Sequence, residues 1–503
     1  MFDLVIKNAT IVDGTGNTPY LSSVGIKDGK IAKIASDLTG EKEIDATGLT
    51  LTPGFIDSHS HSDRTTFVCP DQKEKIEQGI TYAITGQCGF SSAPSFSKKE
   101  NRIITVEEFL VKASDEKQGS NSSMLIGHGA LRSAVMGNVN KKASAEELEQ
   151  MKNLLRNGIR AGAKGLSFGL IYVPGCYSDT YECIELAKVV KEEGGILASH
   201  IRDENDFVIE AVEEYLEIIK SSGARAVFSH HKSAGVKNWG KVRKTIKMIE
   251  DAISEGYDIY FDVYPYIASG TTLSTTFISR QFHPLGCDNV VKLLDDSELV
   301  SKLKAWAKEK WGESYSWILI RDCVGHKEYE GKTLDEVSAM LGTANGFDAG
   351  LELIKMANGG VTACFFSMCE DDVEFLLKHP RGMVCTDSAV IVNNQRCHPR
   401  LVGTFPRVLG NYVREKSVTS LPEMIRKITS LPAHVYSLKN KGLIKEGYDA
   451  DICIFDYNII KDNATYIDCH LKNQGLNYVI LNGQIVVENN IYNGIKAGKV
   501  YAK

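Results

Sequence analysis

The sequence has no apolar run close to the ~20 residues that a membrane-spanning helix requires, so a membrane partner is not expected. Its 12 cysteines include no CxxC pair and are scattered over a long chain. That argues against a disulfide framework and for a reduced, cytoplasmic setting. Positive charge is not in excess: 58 lysines and arginines face 64 acidic residues, for a net charge of −6. The usual electrostatic argument for a nucleic-acid partner is therefore missing. The N-terminus, MFDLVIKNAT, lacks a charged segment followed by an apolar one, so no secretory signal is expected. There is no internal repeat or low-complexity tract, and nothing in the pattern sets an oligomeric state. What is present is an ordinary globular composition, 43% apolar and 24% charged, over 503 residues. A chain of that length calls for one large domain with a smaller companion.

The two ends of the chain share a character that the middle lacks. Leu4–Ile6 and Thr10–Val12 are short β-type runs, with turn signals at Asp13-Gly14 and Asp28-Gly29. Near the C-terminus, Asp451–Phe455 and Tyr478–Leu481 are strand-like, and Asn482-Gly483 before Ile485–Val487 is a strong hairpin signal. Residues 1–51 and 440–503 are therefore expected to pair into one small β-domain, a sandwich, around a middle domain at 52–439.

The middle alternates. Ser144 and Glu147 form a candidate capping box ahead of apolar residues at helical spacing. Helical stretches at 181–193, 207–221 and 242–255 each stop at glycine and are followed by apolar runs ending at His200, His230 and Val263. Consecutive βα units at intervals of roughly 30 residues imply parallel strands with right-handed crossovers. The expected class is α/β, a TIM-like (β/α)8 barrel. Residues 272–355, with Trp306, Trp311 and Trp317, break the rhythm and read as an inserted subdomain; the βα pattern is expected to resume at 360–366.

The chemistry-bearing residues sit at the ends of these apolar runs. PGFIDSHSH (53–61) ends in His-x-His, and residues two apart on an extended strand point the same way. His59 and His61 would then grip one metal from one side. His200 and His230 end two consecutive strands, whose ends lie side by side on one rim of a parallel barrel; neutral imidazole is the commonest metal ligand. His231 follows directly and should point the other way, as a supporting or packing residue. Asp387 ends a late strand, where a carboxylate would ligate metal and act as general base for an activated water; the blander reading is a helix N-cap. Cys88, in TGQCGF, offers a thiolate, but spacing alone leaves open a buried inert thiol.

With these positions in hand, the chain resembles the amidohydrolase superfamily and, within it, the D-aminoacylases (N-acyl-D-amino-acid deacylases). PGFIDSHSHSD, GQCGFSSAP, ASHIRDE, SHHK, DVYPY, HPR and LPAHVYSL…GLIKEGYDADICIFD carry the likeness nearly end to end. The resemblance implies a zinc enzyme in which Cys88, His200 and His230 hold the tight ion, while His59, His61 and Asp387 form a weaker neighbouring site. It assigns the α-carboxylate of a small N-acyl amino acid to Lys232, Arg400 and Tyr264, with Ser269 nearby. The implied reaction is hydrolysis of the amide bond to a carboxylate and a free D-amino acid. Many superfamily relatives bridge two metals with a carboxylated lysine, which makes Lys164 the residue to locate. SAVIVNNQRCHP, between Asp387 and Arg400, departs from the His/Asp-containing loop of better-known members. Two rival readings are a cyclic-amide hydrolase of hydantoinase or dihydroorotase type, and a non-catalytic scaffold on the same barrel.

Overall fold

A computed structural model describes residues 1–390 and 395–502. Eight short parallel strands run through the middle of the chain. They are β1 (Phe55–Asp57), β2 (Ile80–Thr85), β3 (Asn121–Met124, continued at Ile126–Gly127), β4 (Gly165–Gly169), β5 (Ile196–His200), β6 (Arg225–Phe228), β7 (Ile259–Val263) and β8 (Gly382–Val384). Each pairs in parallel with the next in this order, and a parallel bridge between Ser60 and Ser388 links the chain just beyond β1 and β8. These strands are buried on both faces, as their continuous apolar sequences require.

The helices between the strands form where their caps and periodicity put them. Ser144 and Glu147 complete a reciprocal capping box for the helix Ala145–Arg160. Gly223, with φ +68°, terminates Val208–Ser222 in the left-handed conformation that glycine takes without steric cost. Leu155, Leu186, Val212, Ile246 and Phe228 meet in the main apolar core between helices and strands.

Both chain ends contribute to one nine-stranded sheet. Ile452–Phe455 lies antiparallel to Thr50–Pro53, which joins the C-terminal strands to the N-terminal ones. Hydrogen bonding joins all nine strands, with a fork at Phe2–Ile11, which pairs with both Gly40–Asp45 and Thr50–Pro53. Asn482 and Gly483 make the expected two-residue hairpin turn, both at positive φ, between Leu476–Leu481 and Gln484–Glu488. The core here is aliphatic: Leu4, Ile6, Val24, Ile26, Ile452 and Ile480. Thr50–Pro53 leads straight into β1 through Gly54, where a Cβ would fall 2.2 Å from Thr81 Oγ1.

The segment after β7 has its own antiparallel sheet and its own core. Ser269–Thr272 and Ile318–Cys323 flank Val361–Phe365. Phe277 stacks on Phe347 at 4.5 Å, with Trp311 and Tyr315 around them. This corrects the expectation that the βα rhythm resumes at 360–366. The strand exists, but it is the middle of the antiparallel sheet. A five-residue apolar run reads alike in either kind of sheet, so periodicity could not assign it.

Candidate metal centre

The C-terminal ends of the parallel strands converge, and the backbone there is bent to aim side chains inward. His200 is the last residue of β5. His230 lies two residues beyond β6 with φ +35°, Asp387 three beyond β8 with φ +47°, and Cys88 follows β2 with φ +52°. Left-handed backbone at non-glycine residues is uncommon and clusters at functional sites. The Cys88 turn is made possible by its flanking glycines: a Cβ on Gly86 would lie 2.0 Å from Leu125 O, and one on Gly89 2.8 Å from Gly169 N. Asp63 pins this loop by accepting hydrogen bonds from Gly86 N (3.1 Å) and Ser92 N (2.8 Å).

Six expected side chains meet here. Cys88 Sγ is 3.2 Å from both His59 Nε2 and His230 Nε2. His61 Nε2 and His59 Nε2 are 3.2 and 3.5 Å from Asp387 Oδ1. One ligand atom from each of His59, Cys88, His230 and Asp387 lies within 4.8 Å of the other three, and His200, His230 and Glu204 form an overlapping group. The His200 and His230 rings are 4.4 Å apart, edge to face.

Other expectations resolve as follows. Arg400 Nη1 contacts Asp387 Oδ2 at 2.8 Å. Lys232 Nζ is 2.7 Å from both Glu204 Oε1 and His230 Nδ1. The Tyr264 ring centroid is 4.6 Å from the Arg400 guanidinium and 5.5 Å from Lys232 Nζ, while the Tyr264 hydroxyl turns toward Met368. Ser269 opens the antiparallel strand opposite Phe365, and its neighbour Gly270 accepts from Arg400 Nη2. His231 faces away, bonded to Thr245 (2.7 Å) and packed between Phe228 and Phe261. Lys164 immediately precedes the N-terminal end of β4, on the rim opposite the cluster. Of the segment between Asp387 and Arg400, residues 391–394 lie outside the described residues.

Sequence reasoning missed three supporting acids. Glu204 is 3.5 Å from His200 Nε2 and 3.0 Å from His230 Nδ1. Asp262 accepts from His230 N at 2.6 Å and lies 3.6 Å from His59 Nδ1. Asp57 accepts from Thr386 N, Thr386 Oγ1 and Lys75 Nζ at 2.7–2.8 Å, tying the His-x-His segment to the Asp387 loop. The first two stand in the ASHIRDE and DVYPY motifs, and Asp262 also lies near the end of a buried strand, so a signal was there to read. Lys75 gave none.

The electrostatics favour anionic donors. Burial opposes ionisation of Asp387, but the Arg400 guanidinium holds its carboxyl well below the usual range. Burial likewise opposes a Cys88 thiolate, and the adjacent His59 and His230 overcome that and hold the thiol well below its ordinary range. The buried His200 ring has no hydrogen-bond partner on either nitrogen, and His59 Nδ1 has none. A buried polar atom without a partner is costly, and a thiolate, imidazoles and a carboxylate are the donor types of a zinc-like ion. The residues present therefore fit a metal.

The amidohydrolase family model matches residues 42–311 and 384–487. The chain belongs to the amidohydrolase family. The unmatched stretch, 312–383, contains two of the three strands of the antiparallel sheet, Ile318–Cys323 and Val361–Phe365. The chain is 32% identical to a D-aminoacylase of Alcaligenes xylosoxydans xylosoxydans, over 100% of this chain and 98% of that one. It superimposes with a TM-score of 0.86 on the N-acyl-D-glutamate deacylase of Bordetella bronchiseptica, solved with zinc and a phosphonate that mimics the tetrahedral intermediate (31% identity, 99% of each chain). A solved D-aminoacylase with a binuclear metal center superimposes with a TM-score of 0.84 at 30% identity, over 99% of each chain. The amidohydrolase fold of these neighbours is of the TIM-barrel type, and a metal cofactor belongs to it.

Proposed function

We propose that this protein hydrolyses the amide bond of N-acyl-D-amino acids with the help of zinc, releasing a carboxylate and a free D-amino acid. The observation that carries the reading is the convergence of His59, Cys88, His230 and Asp387 within 4.8 Å, at one end of the parallel strands. We read those eight strands as one closed barrel, the terminal sheet as a separate small domain, and the segment after β7 as an insertion. Cys88, His200 and His230 would hold the tighter ion, and His59, His61 and Asp387 the weaker one. When bound, zinc supplies Lewis acidity that activates water and polarises an amide carbonyl.

The chain's own groups do the rest. Asp387 Oδ1 accepts the proton from the attacking water and returns it to the leaving amino nitrogen. Arg400 keeps that carboxylate ionised in the resting protein. Arg400 and Lys232, both packed against the Tyr264 ring, meet the substrate α-carboxylate. As a substrate carboxylate draws Arg400 away, Asp387 becomes a stronger base. Deacylation of a chiral panel of N-acyl amino acids, run beside hydantoins and dihydropyrimidines, tests the reading. Release of D-amino acids is the expected outcome; ring opening without deacylation would overturn it.

One further feature favours acidic side chains. Arg321, whose Nε donates to Thr362 Oγ1, forms no ion pair among the described residues. A methyl group on Gly270 would sit 3.5 Å from Arg321 Nη1 and 3.6 Å from Arg400 Nη2. Two guanidinium groups converging on one point suit two carboxylates. Arg321→Leu is expected to lower kcat/KM for N-acyl-D-glutamate about tenfold or more, the scale of one charged hydrogen bond, with N-acyl-D-leucine little changed. Equal losses on both substrates would remove the assignment.

A further inference from the structure

Beyond the donors of the His59 cluster, three others come together. Cys397, Cys469 and His470 each place one ligand atom within 4.8 Å of the other two. Both cysteines are buried and His470 is exposed, so the two sulfurs form the floor of a site whose third donor faces solvent. We propose that these residues form a second metal site, for a soft closed-shell cation such as Zn2+, distinct from the centre at the strand ends.

Donor type supports this. Two thiolates and an imidazole select zinc-like ions over hard cations. With zinc–sulfur bonds of ~2.3 Å and zinc–nitrogen bonds of ~2.0–2.1 Å, tetrahedral ligands stand roughly 3.5–3.8 Å apart. Since no two of the three ligand atoms are more than 4.8 Å apart, a contraction of at most about 1 Å matches that geometry.

The surroundings prepare the donors. The Cys397 backbone N–H points at Cys469 Sγ (3.1 Å) and stabilises charge on that sulfur. The Cys397 thiol in turn points at Cys469 O (3.8 Å), so the two cysteines face one another. His470 Nε2 donates to Gln395 O (3.0 Å). That bond fixes the tautomer and leaves Nδ1 with a free lone pair, as a backbone carbonyl does behind many metal-ligating histidines.

Binding needs no oxidant. The two thiols release two protons to solvent, and the ion accepts three lone pairs, with no change in oxidation state. The consequence is mechanical. Cys397 stands three residues before Arg400, the partner of Asp387. Segment 395–402 is already laced to segment 466–473. Arg396 Nη1 bonds to Ile467 O (2.8 Å), the His398 and Tyr466 rings are 5.0 Å apart, and Asn473 Nδ2 bonds to Val402 O (2.7 Å). An ion at Cys397, Cys469 and His470 adds a clamp between the same two segments.

Zinc content of the full-length protein, equilibrated with Zn2+ and then gel-filtered, tests the proposal. Cys397→Ser and Cys469→Ser are each expected to hold one zinc per chain fewer than the wild type. A second measurement needs no variant: crystals of the zinc-equilibrated wild-type protein should show a zinc-edge anomalous peak between Cys397, Cys469 and His470. Equal zinc content in wild type and both variants would overturn the proposal. So would the absence of that peak, or a Cys397–Cys469 disulfide in its place.

Discussion

The strand-end rim and the terminal sheet obey opposite rules. In the terminal sheet, turn residues, strand propensity and an aliphatic core all point to one structure: Asn482-Gly483 turns the chain, and Ile452, Ile454 and Ile480 pack behind it. At the rim, local rules are broken. Cys88, His230 and Asp387 take positive φ, and His59, His200 and Asp262 bury polar atoms that lack partners. Such costs persist only where surrounding structure enforces them. The contrast separates residues that make the fold from residues that the fold supports at a loss.

The largest expected effect lies on the rim. Asp387→Asn keeps the side chain's shape but removes its capacity to take a proton. Turnover should fall by about 10²–10⁴, the usual worth of a general base, with the tighter ion at Cys88, His200 and His230 retained. An activity within about tenfold of wild type would assign proton transfer to another group.

Behind the rim lies a buried ion pair, Lys75 with Asp57, and neither side chain touches solvent. Lys75→Met leaves Asp57 an unpaired buried charge, a change that costs about 3–5 kcal/mol. Because Asp57 also holds Thr386, kcat should fall together with Tm. If Tm drops and kcat does not, Asp57 supports the fold without placing Asp387.

Lys427 offers a contrast away from the rim. Burial pushes its pKa down from 10.5 to about 7, with Nζ donating to the carbonyls of Leu377 and His379. A lysine whose folded pKa is depressed binds fewer protons folded than unfolded in the window between those two values. Stability therefore rises with pH from about 7 to 10.5, by up to about 1.4 kcal/mol per pH unit from this group. Below that window its unfavourable contribution is fully present. Lys427→Met should flatten the rise in denaturation free energy across this range. An unchanged slope would mean that Lys427 stays charged when folded.

How much of this was legible in the sequence follows the same divide. The helices, the hairpin and the joined termini announce themselves through caps, glycines and period, which are local signals. His59, His61, His200 and His230 were legible because strand ends are readable and histidine at a strand end is unusual. The role of Cys88 was not, since its approach depends on a tight turn set by Gly86 and Gly89 against other strands. Glu204 and Asp262 were quoted within motifs yet went unassigned, because a carboxylate that orients a ligand differs from a surface acid only by its neighbours. Val361–Phe365 was placed in the wrong sheet for a related reason: a short apolar strand does not encode its partner.

The smallest effect belongs to the terminal sheet and tests whether the two regions are independent. Gly48 has φ +78°, and a Cβ there would meet nothing within 4 Å. Leu49 N donates to Ala46 O across the turn, so the position demands left-handed backbone and nothing else. Gly48→Ala should cost about 1 kcal/mol, the left-handed penalty for an L-residue, with no steric contribution. The turn feeds Thr50–Pro53, and that strand enters β1 and the His59 segment through Gly54. If the strain is absorbed within the turn, Tm falls slightly and kcat/KM stays within twofold of wild type. A larger kinetic loss at so small a cost in stability would mean that the β1 register, and the histidines with it, is set from the terminal sheet. The rim and the sheet would then be one mechanical unit, despite their opposite local rules.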